Sequence, residues 1–130
     1  MAYSSSQPVK MTCEAAAVLS ALQFTFVKLD SSGNAAAAAA ATDIPCGVLQ
    51  NKPTTGQAAE IVVVGITKVE AGTTLTAGDL IGTAADGQAV ALVAGVDTTA
   101  YVVGTMKESA GGAGVISTAI VNCSNPHRAA

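Results

Sequence analysis

The pattern of apolar and polar positions is clearest in the stretch Ala58–Gly87, around which the rest of the chain is organised. From Glu60 to Val69, apolar side chains occupy both faces of a β-branched run, which predicts a strand covered on both sides. Lys68 and Glu70 indicate that one of these faces reaches solvent at its end. Gly65 interrupts the run, and an isolated glycine in a strand predicts a β-bulge or a close approach of another backbone.

Three turns follow this strand in quick succession, at Ala71-Gly72, Ala77-Gly78-Asp79 and Ala85-Asp86-Gly87. The segments between them are too short for a flat sheet. Short strands joined by tight Gly/Asp turns are typical of a small, sharply folded β domain. The pattern therefore predicts an all-β fold, a small antiparallel β-barrel or β-clip with little helix.

The pattern predicts five more strands, at Phe24–Leu29, Cys46–Gln50, Ala89–Val93, Tyr101–Lys107 and Val115–Asn122. Two stretches are ambiguous. Residues 11–22 are good helix formers but have no polar face, so a short helix and an irregular first strand both fit. Ala35–Ala41 is a run of seven alanines that favours a helix by propensity but is too short to be stable alone, so a strand or a loop fits equally.

A weak internal repeat relates the two parts of the chain. FVKLDSSGNAA and LIGTAADGQAV both run strand, turn, glycine, polar residue and small residues. Gly33 and Gly87 are 54 positions apart, and so are Ile61 and Val115. This spacing predicts two similar three-stranded halves in a pseudo-symmetric barrel. The alternative is a chance match between segments that are both rich in alanine and glycine.

The domain organisation predicted from the sequence is one β domain with two tails. Residues 1–10 are polar and contain three serines, which predicts an extended N-terminal arm with no core of its own. Residues 11–122 form the β domain, and residues 123–130 form a C-terminal tail without a pattern. An arm of this kind is either without order or ordered by a partner. The candidate partner-binding residues all lie in the tails: Tyr3, Gln7, Pro8, Lys10, His127 and Arg128.

The composition points to a protein whose surface is covered by other protein. Half of the 130 residues are hydrophobic, but most of these are small, and there is no Trp. Small side chains give a thin core, so help from neighbouring copies is expected. Charged residues make up 12% of the chain, against about 25% in ordinary domains. The net charge of −3 argues against nucleic acid as a partner.

The sequence offers no membrane or secretion signal. No segment approaches the roughly 20 apolar residues needed to span a bilayer. The N-terminus has no charged-then-apolar order, so we expect synthesis in a reducing cytoplasm and idle thiols at Cys13, Cys46 and Cys123.

The sequence also offers no catalytic constellation. No C-x-x-C pair occurs and the single histidine, His127, lies in the tail, so no metal site or cofactor is predicted. Five aspartates lie at turn signals, where the side chain bonds the local backbone: Asp30, Asp43, Asp79, Asp86 and Asp97. Gly111–Gly114 lacks the Lys-Ser/Thr of a phosphate-binding loop. We therefore expect a protein that is not an enzyme.

Three segments resemble the small capsid cement proteins of tailed bacteriophages. They are the strand at Gly47-Val48, the T-G-Q-A-A-E-I-V-V run from Thr55 to Val63 and the A-G-D-L-I-G segment from Ala77 to Gly82, and the resemblance extends over about Phe24–Asn122. A-G-D-L turns also occur in lipoyl and biotinyl carrier hairpins. Those families carry a modified lysine at the hairpin tip, and no lysine lies at the matching turn here.

The resemblance implies a head decoration protein on the outer surface of the virion. Proteins of that family bind expanded heads, bridge major capsid subunits and often form trimers, with dimers as the alternative. The expected partners are thus the major capsid protein and further copies of the chain, with no nucleic acid and no membrane. The competing hypotheses are a non-catalytic binding module, either head-fibre-like or carrier-like, and a small enzyme, which the missing acid–base groups disfavour.

Overall fold

The computed structural model describes residues 8–125 and 127–130. In this part of the chain the regular structure is almost entirely strand, with one short 3-10 turn at Ala85–Gly87 and no α-helix. The strands, in chain order, are β1 (Val9–Glu14), β2 (Phe26–Leu29), β3 (Ala35–Ala37), β4 (Gly47–Leu49), β5 (Ala58–Glu70), β6 (Leu80–Thr83), β7 (Ala89–Leu92), β8 (Tyr101–Val102), β9 (Gly104–Met106), β10 (Ile116–Asn122) and β11 (His127–Arg128).

Nine of these strands form one strongly curled antiparallel sheet, a half-barrel. Its order is β3-β2-β4-β5-β10-β9-β6-β7, and β1 also pairs with β5. The two remaining strands, β8 and β11, pair with each other. The predicted all-β antiparallel fold is confirmed.

The long strand β5 is the centre of the sheet because its two ends pair with different strands. Its first part pairs with β1 and β4, and its second part pairs with β10. The register in the β1–β5 ladder steps from Val9↔Val64 to Lys10↔Val62, so Val63 is the extra residue of a bulge. Gly65, two residues further on, has φ +145°, which a side chain disfavours. The bulge predicted at Gly65 is therefore not at that residue: it lies two residues earlier, at Val63, and Gly65 pairs in regular register with Val121.

The two halves of the domain repeat the same hydrogen bonds. We define the first half as residues 9–63 and the second as residues 64–122, with β5 shared between them. Ala16 N donates to Ala35 O at 2.8 Å, and Gly72 N donates to Ala89 O at 2.8 Å. Each bond accompanies an isolated parallel bridge, Ala15↔Ala35 in the first half and Ala71↔Ala89 in the second. These matched hydrogen bonds and bridges confirm the repeat predicted from the sequence.

The repeat extends to backbone conformation. Gly47 and Gly104, 57 positions apart, have φ +159° and +158°, and a Cβ on either would clash with a carbonyl of the next strand, Val62 O or Ile120 O. This match makes Ile120 the equivalent of Val62, 58 positions away. The pairing of Ile61 with Val115 at 54 positions was therefore wrong. The spacing between equivalent residues is not constant, 56 for Ala16 and Gly72, 54 for Ala35 and Ala89 and 58 for Val62 and Ile120, because the connections of the two halves differ in length.

Each half encloses its own apolar core. The first core lies inside the sheet formed by β1–β4 and the first part of β5, and its members include Leu19, Leu49 and Ile61. The second core contains the equivalent residues Leu75, Met106 and Ala119. It also takes in side chains from the outer face of the first half, namely Phe26, Val48 and Val62. The packing of the two halves is thus unequal.

The two stretches that the sequence left ambiguous are now resolved. Residues 11–14 belong to β1, and the rest of 11–22 is a strand-free connection that buries Leu19. The alanine run holds the short strand β3 at Ala35–Ala37 and continues without regular structure to Ala41. Because β1 begins at Val9, Val9 and Lys10 of the predicted arm are part of the sheet.

Candidate binding surface on the second half

The outer face of the second half presents a row of side chains across three strands. Ile120 on β10 pairs with Thr105 on β9, and Thr105 pairs with Leu80 on β6. Residues opposite each other in an antiparallel ladder point to the same face. Ile120 is 48% exposed, and Leu80 and Thr105 are partly exposed. A sheet face that exposes large apolar side chains side by side is a candidate surface for binding another molecule.

A cavity of about 320 Å³ adjoins this row and the C-terminal segment. It is lined by the row itself and by Val102, Asn125 and His127, among others. Asn122, also at its edge, is engaged locally, because its Oδ1 accepts bonds from Ser124 N at 3.1 Å and Ser124 Oγ at 2.7 Å. The volume lies at the small end of the roughly 300–1,000 Å³ range of ligand pockets. It suits one inserted side chain or a small ligand.

The equivalent face of the first half is closed. Phe26, Val48 and Val62, the counterparts of Leu80, Thr105 and Ile120, are at most 2% exposed because the second half packs over them. The same face of the same local fold is therefore core in one half and surface in the other.

Four of the six candidate tail residues fall within the described part of the chain. Pro8 is partly buried just before β1, and Lys10 is exposed on β1. His127 and Arg128 are exposed on β11, where the Arg128 guanidinium carbon lies 5.5 Å from the centre of the Tyr101 ring. Tyr3 and Gln7 lie outside the described residues.

The structure brings the two ends of the domain together but does not join these side chains. Val9, at the start of β1, and Asn122, at the end of β10, are both in register with Val64 on β5. The segments before β1 and after β10 therefore leave the sheet at the same level, on opposite edges of β5 and about 10 Å apart. Of the four candidates in the described part of the chain, His127 alone lines the cavity.

The thiols are held in their neutral form. Burial, with a smaller contribution from Cys13, raises the pKa of Cys46 to about 12, and burial, with a smaller contribution from Cys46, raises the pKa of Cys123 to about 12. A thiol with so high a pKa is a poor nucleophile at neutral pH. Within the described residues, no three His, Cys, Asp or Glu side chains are grouped so that they could hold a metal ion.

Sequence analysis missed the residues that make the outer surface unusual. Leu29, Ile44 and Ile120 are large apolar side chains that are 47%, 52% and 48% exposed. They lie in predicted strands or turns and carry no motif. The internal repeat pairs Ile120 with Val62 and Leu29 with Thr83, but only the folded structure shows which member of each pair is buried.

Of the comparisons with known proteins, the one with solved structures bears on the fold. No protein-family model and no curated protein matches the chain. Among solved structures, the N-terminal base of the gp8.5 head fibre of bacteriophage phi29 has a similar fold, with a TM-score of 0.65 and 23% sequence identity. The match covers 92% of this chain and 98% of that one. In the described residues no helix is long and apolar enough to cross a membrane.

Proposed function

We propose that this protein is a structural component of a tailed-phage head and binds the outer surface of the capsid. The observation that carries the proposal is the likeness in fold to the base of a phage head fibre, which extends over nearly the whole of both chains. The low content of charged residues and the exposed apolar row on the second half support a surface that works in contact with other protein. The protein has no catalytic role in this proposal.

Within that role, we favour a cement protein that bridges and stabilises major capsid subunits. This rests on the resemblance of Gly47-Val48, Thr55–Val63 and Ala77–Gly82 to head decoration proteins. The second candidate is the fixed base of a head fibre, which the fold comparison favours directly. The two candidates differ in copy number, because cement covers the whole shell and fibres occupy selected positions.

The deciding experiment adds the purified protein to expanded heads that lack decoration and counts the bound copies. A cement protein saturates at a copy number comparable to that of the major capsid protein. A fibre base saturates at a small fraction of that number. Absence of binding to expanded heads contradicts both candidates, and unexpanded heads serve as the comparison for the effect of shell maturation.

The same assay tests the N-terminal arm. A version that lacks residues 1–7 keeps β1 intact, since β1 begins at Val9. If strand addition by the arm contributes to attachment, this version dissociates faster from the heads. Occupancy of the full-length protein should fall only modestly from about 0.05 to 1 M salt, because few charges are available for ion pairs. Equal retention of both versions removes the arm from the proposal.

A further inference from the structure

Among the contacts that join the two halves within one copy, three lie side by side around Phe26 and the end of the alanine run. Gly87 of the second half packs against the backbone of Phe26 so closely that a Cβ there would clash with Phe26 O. Thr83 Oγ1 donates to Ala40 O at 2.9 Å. Tyr101 N donates to Ala41 O at 3.0 Å. We call Thr83, Gly87 and Tyr101 the projecting set and the residues that they contact the receiving set.

The first half has its own projecting set, and it is unused. Leu29 and Gly33 lie 54 positions before Thr83 and Gly87, and Ile44 is the equivalent of Tyr101. A Cβ on Gly33 would meet nothing within 4 Å, whereas Gly87 is buried. Leu29 and Ile44 are about half exposed. The first half thus presents to solvent the positions through which the second half makes its internal contact.

The second half has its own receiving set, which within the described residues the first half does not contact. Leu80, Ala94 and Gly95 are the equivalents of Phe26, Ala40 and Ala41. The alignment of this segment is fixed by a matched cap, since Asp43 Oδ2 accepts from Ala39 N at 2.8 Å and Asp97 Oδ2 from Val93 N at 2.7 Å.

This receiving set opens onto apolar surface. Ala129 covers one side of it through a bond from Gly95 N at 2.8 Å. Around it Val93, Val96 and Ile120 stay exposed, whereas Val62, the equivalent of Ile120, is core.

We propose that copies of this chain associate head to tail, with the projecting set of one first half seated on the receiving set of another copy's second half. The occupant of the open face is then a second copy, because the chain already shows how one half fits the other. Such a contact joins two different surfaces, so repetition closes into a ring or continues as a chain. The proposal concerns the free protein in solution and does not depend on capsid binding.

The test uses two variants that each block one surface. Ile44→Arg disrupts the projecting set and leaves the receiving set intact. Ile120→Arg places a charge on the apolar surface beside the receiving set and leaves the projecting set intact. Both side chains are about half exposed, so the fold should tolerate the changes, and circular dichroism and melting curves check this. Val18→Arg is the matched control, since Val18 is 63% exposed and its equivalent, Thr74, is also exposed.

Sedimentation velocity over a range of concentrations gives the readout. The wild-type protein and Val18→Arg should form oligomers, and each blocked variant alone should weaken association at least about tenfold. An equimolar mixture of the two blocked variants should form a heterodimer, because one intact surface of each kind remains.

Two results overturn the proposal. A wild-type protein that stays monomeric at every concentration shows that the two sets do not meet. Oligomers that form from wild type but are not restored in the mixture show a symmetric interface instead.

A variant at a second position tests the same surface. Gly33→Asn adds a side chain to the projecting set, and asparagine tolerates the positive φ of this position, so the variant should weaken association as Ile44→Arg does. Gly114→Asn, at another open glycine with φ +82°, is its control.

Discussion

In the first half of the domain Phe26, Val48 and Val62 are buried under the second half, whereas in the second half Leu80, Thr105 and Ile120 face solvent and a cavity. The backbone around the two sets is nearly the same, down to the positive φ of Gly47 and Gly104. The comparison teaches that the local fold sets which residues share a face, while the packing of the halves sets whether that face is core. A face left open in only one of two equivalent halves is the place to look for a partner.

The halves also differ in how they make one tight turn. Phe24 N donates to Leu49 O at 2.7 Å, and Gly78 N donates to Met106 O at 2.7 Å. Phe24 has φ +67° and Gly78 has φ +92°. A bulky residue is rarely found in this region, which suits glycine. The first half accepts this strain at Phe24, whose ring lies 5.6 Å from Lys68 Nζ.

The largest expected effect comes from the glycines that both halves require. Gly47→Ala and Gly104→Ala should each lower the free energy of unfolding by about 3 kcal/mol or more, because backbone strain and a clash with the next strand's carbonyl add together. Chemical denaturation measures the loss. Gly33→Ala, at an open glycine with φ +80°, should cost only the strain, about 1–2 kcal/mol. Equal losses at Gly33 and Gly104 would mean that the carbonyl contact does not matter.

The next effect separates two neighbouring phenylalanines of the first half. Phe26→Ala should cost about 3–5 kcal/mol, because Phe26 is fully buried between the halves. Phe24→Gly should cost less than about 1 kcal/mol, since relief of roughly 1–3 kcal/mol of strain offsets the lost ring contact. Thermal melts of the two variants measure the difference. A Phe24→Gly loss as large as that of Phe26→Ala would show that the ring, and not the turn, matters at position 24.

An alkaline effect involves one thiol from the first half and one from the C-terminal segment. Cys46 and Cys123 have their pKa raised from 9.0 to about 12, so above pH 9.0 the unfolded chain loses these protons before the folded chain does. The free energy of unfolding should then fall by up to about 1.4 kcal/mol per pH unit per thiol between these pKa values. Denaturation curves at increasing pH check this. A Cys46→Ala, Cys123→Ala double variant with an equally steep fall would assign the effect to other groups.

The smallest expected effect compares two equivalent aspartates. The pKa of Asp43 is lowered chiefly by the bond from Ala39 N, and Lys28, whose Nζ lies 3.2 Å from Asp43 Oδ2, adds to this. Asp43→Ala should cost about 1 kcal/mol at neutral pH, and Asp97→Ala slightly less.

The acid behaviour of Asp43 follows from the direction of that shift. Its contribution is present above the unfolded pKa of about 3.9 and is lost as pH falls through the lower folded value. Acid titration of stability in Asp43→Ala and wild type should therefore converge at low pH. Curves that stay parallel would mean that the charge of Asp43 contributes nothing.

The sequence by itself determined the fold class and most of the strands. The β-branched run of β5, the Gly/Asp turns and the spacing of Gly33 and Gly87 are local signals, because strand period and turn chemistry depend on neighbouring residues. The same signals also indicated the repeat. They did not give the correct equivalent of Ile61, which is Ala119, because the connections of the two halves differ in length. The tail residues proposed for partner contact came from composition alone, and of the four within the described residues His127 alone lines the cavity.

Only the tertiary structure decided which apolar residues became core. Val62 and Ile120 look alike in sequence, since each is a β-branched residue within a strand, yet one is at most 2% exposed and the other is 48% exposed. The difference arises because the second half folds over the first, whereas no residue in the described part of the chain covers the second half in the same way. Burial depends on residues far apart in the chain that meet only when the sheet curls, so no local pattern could have located the open face.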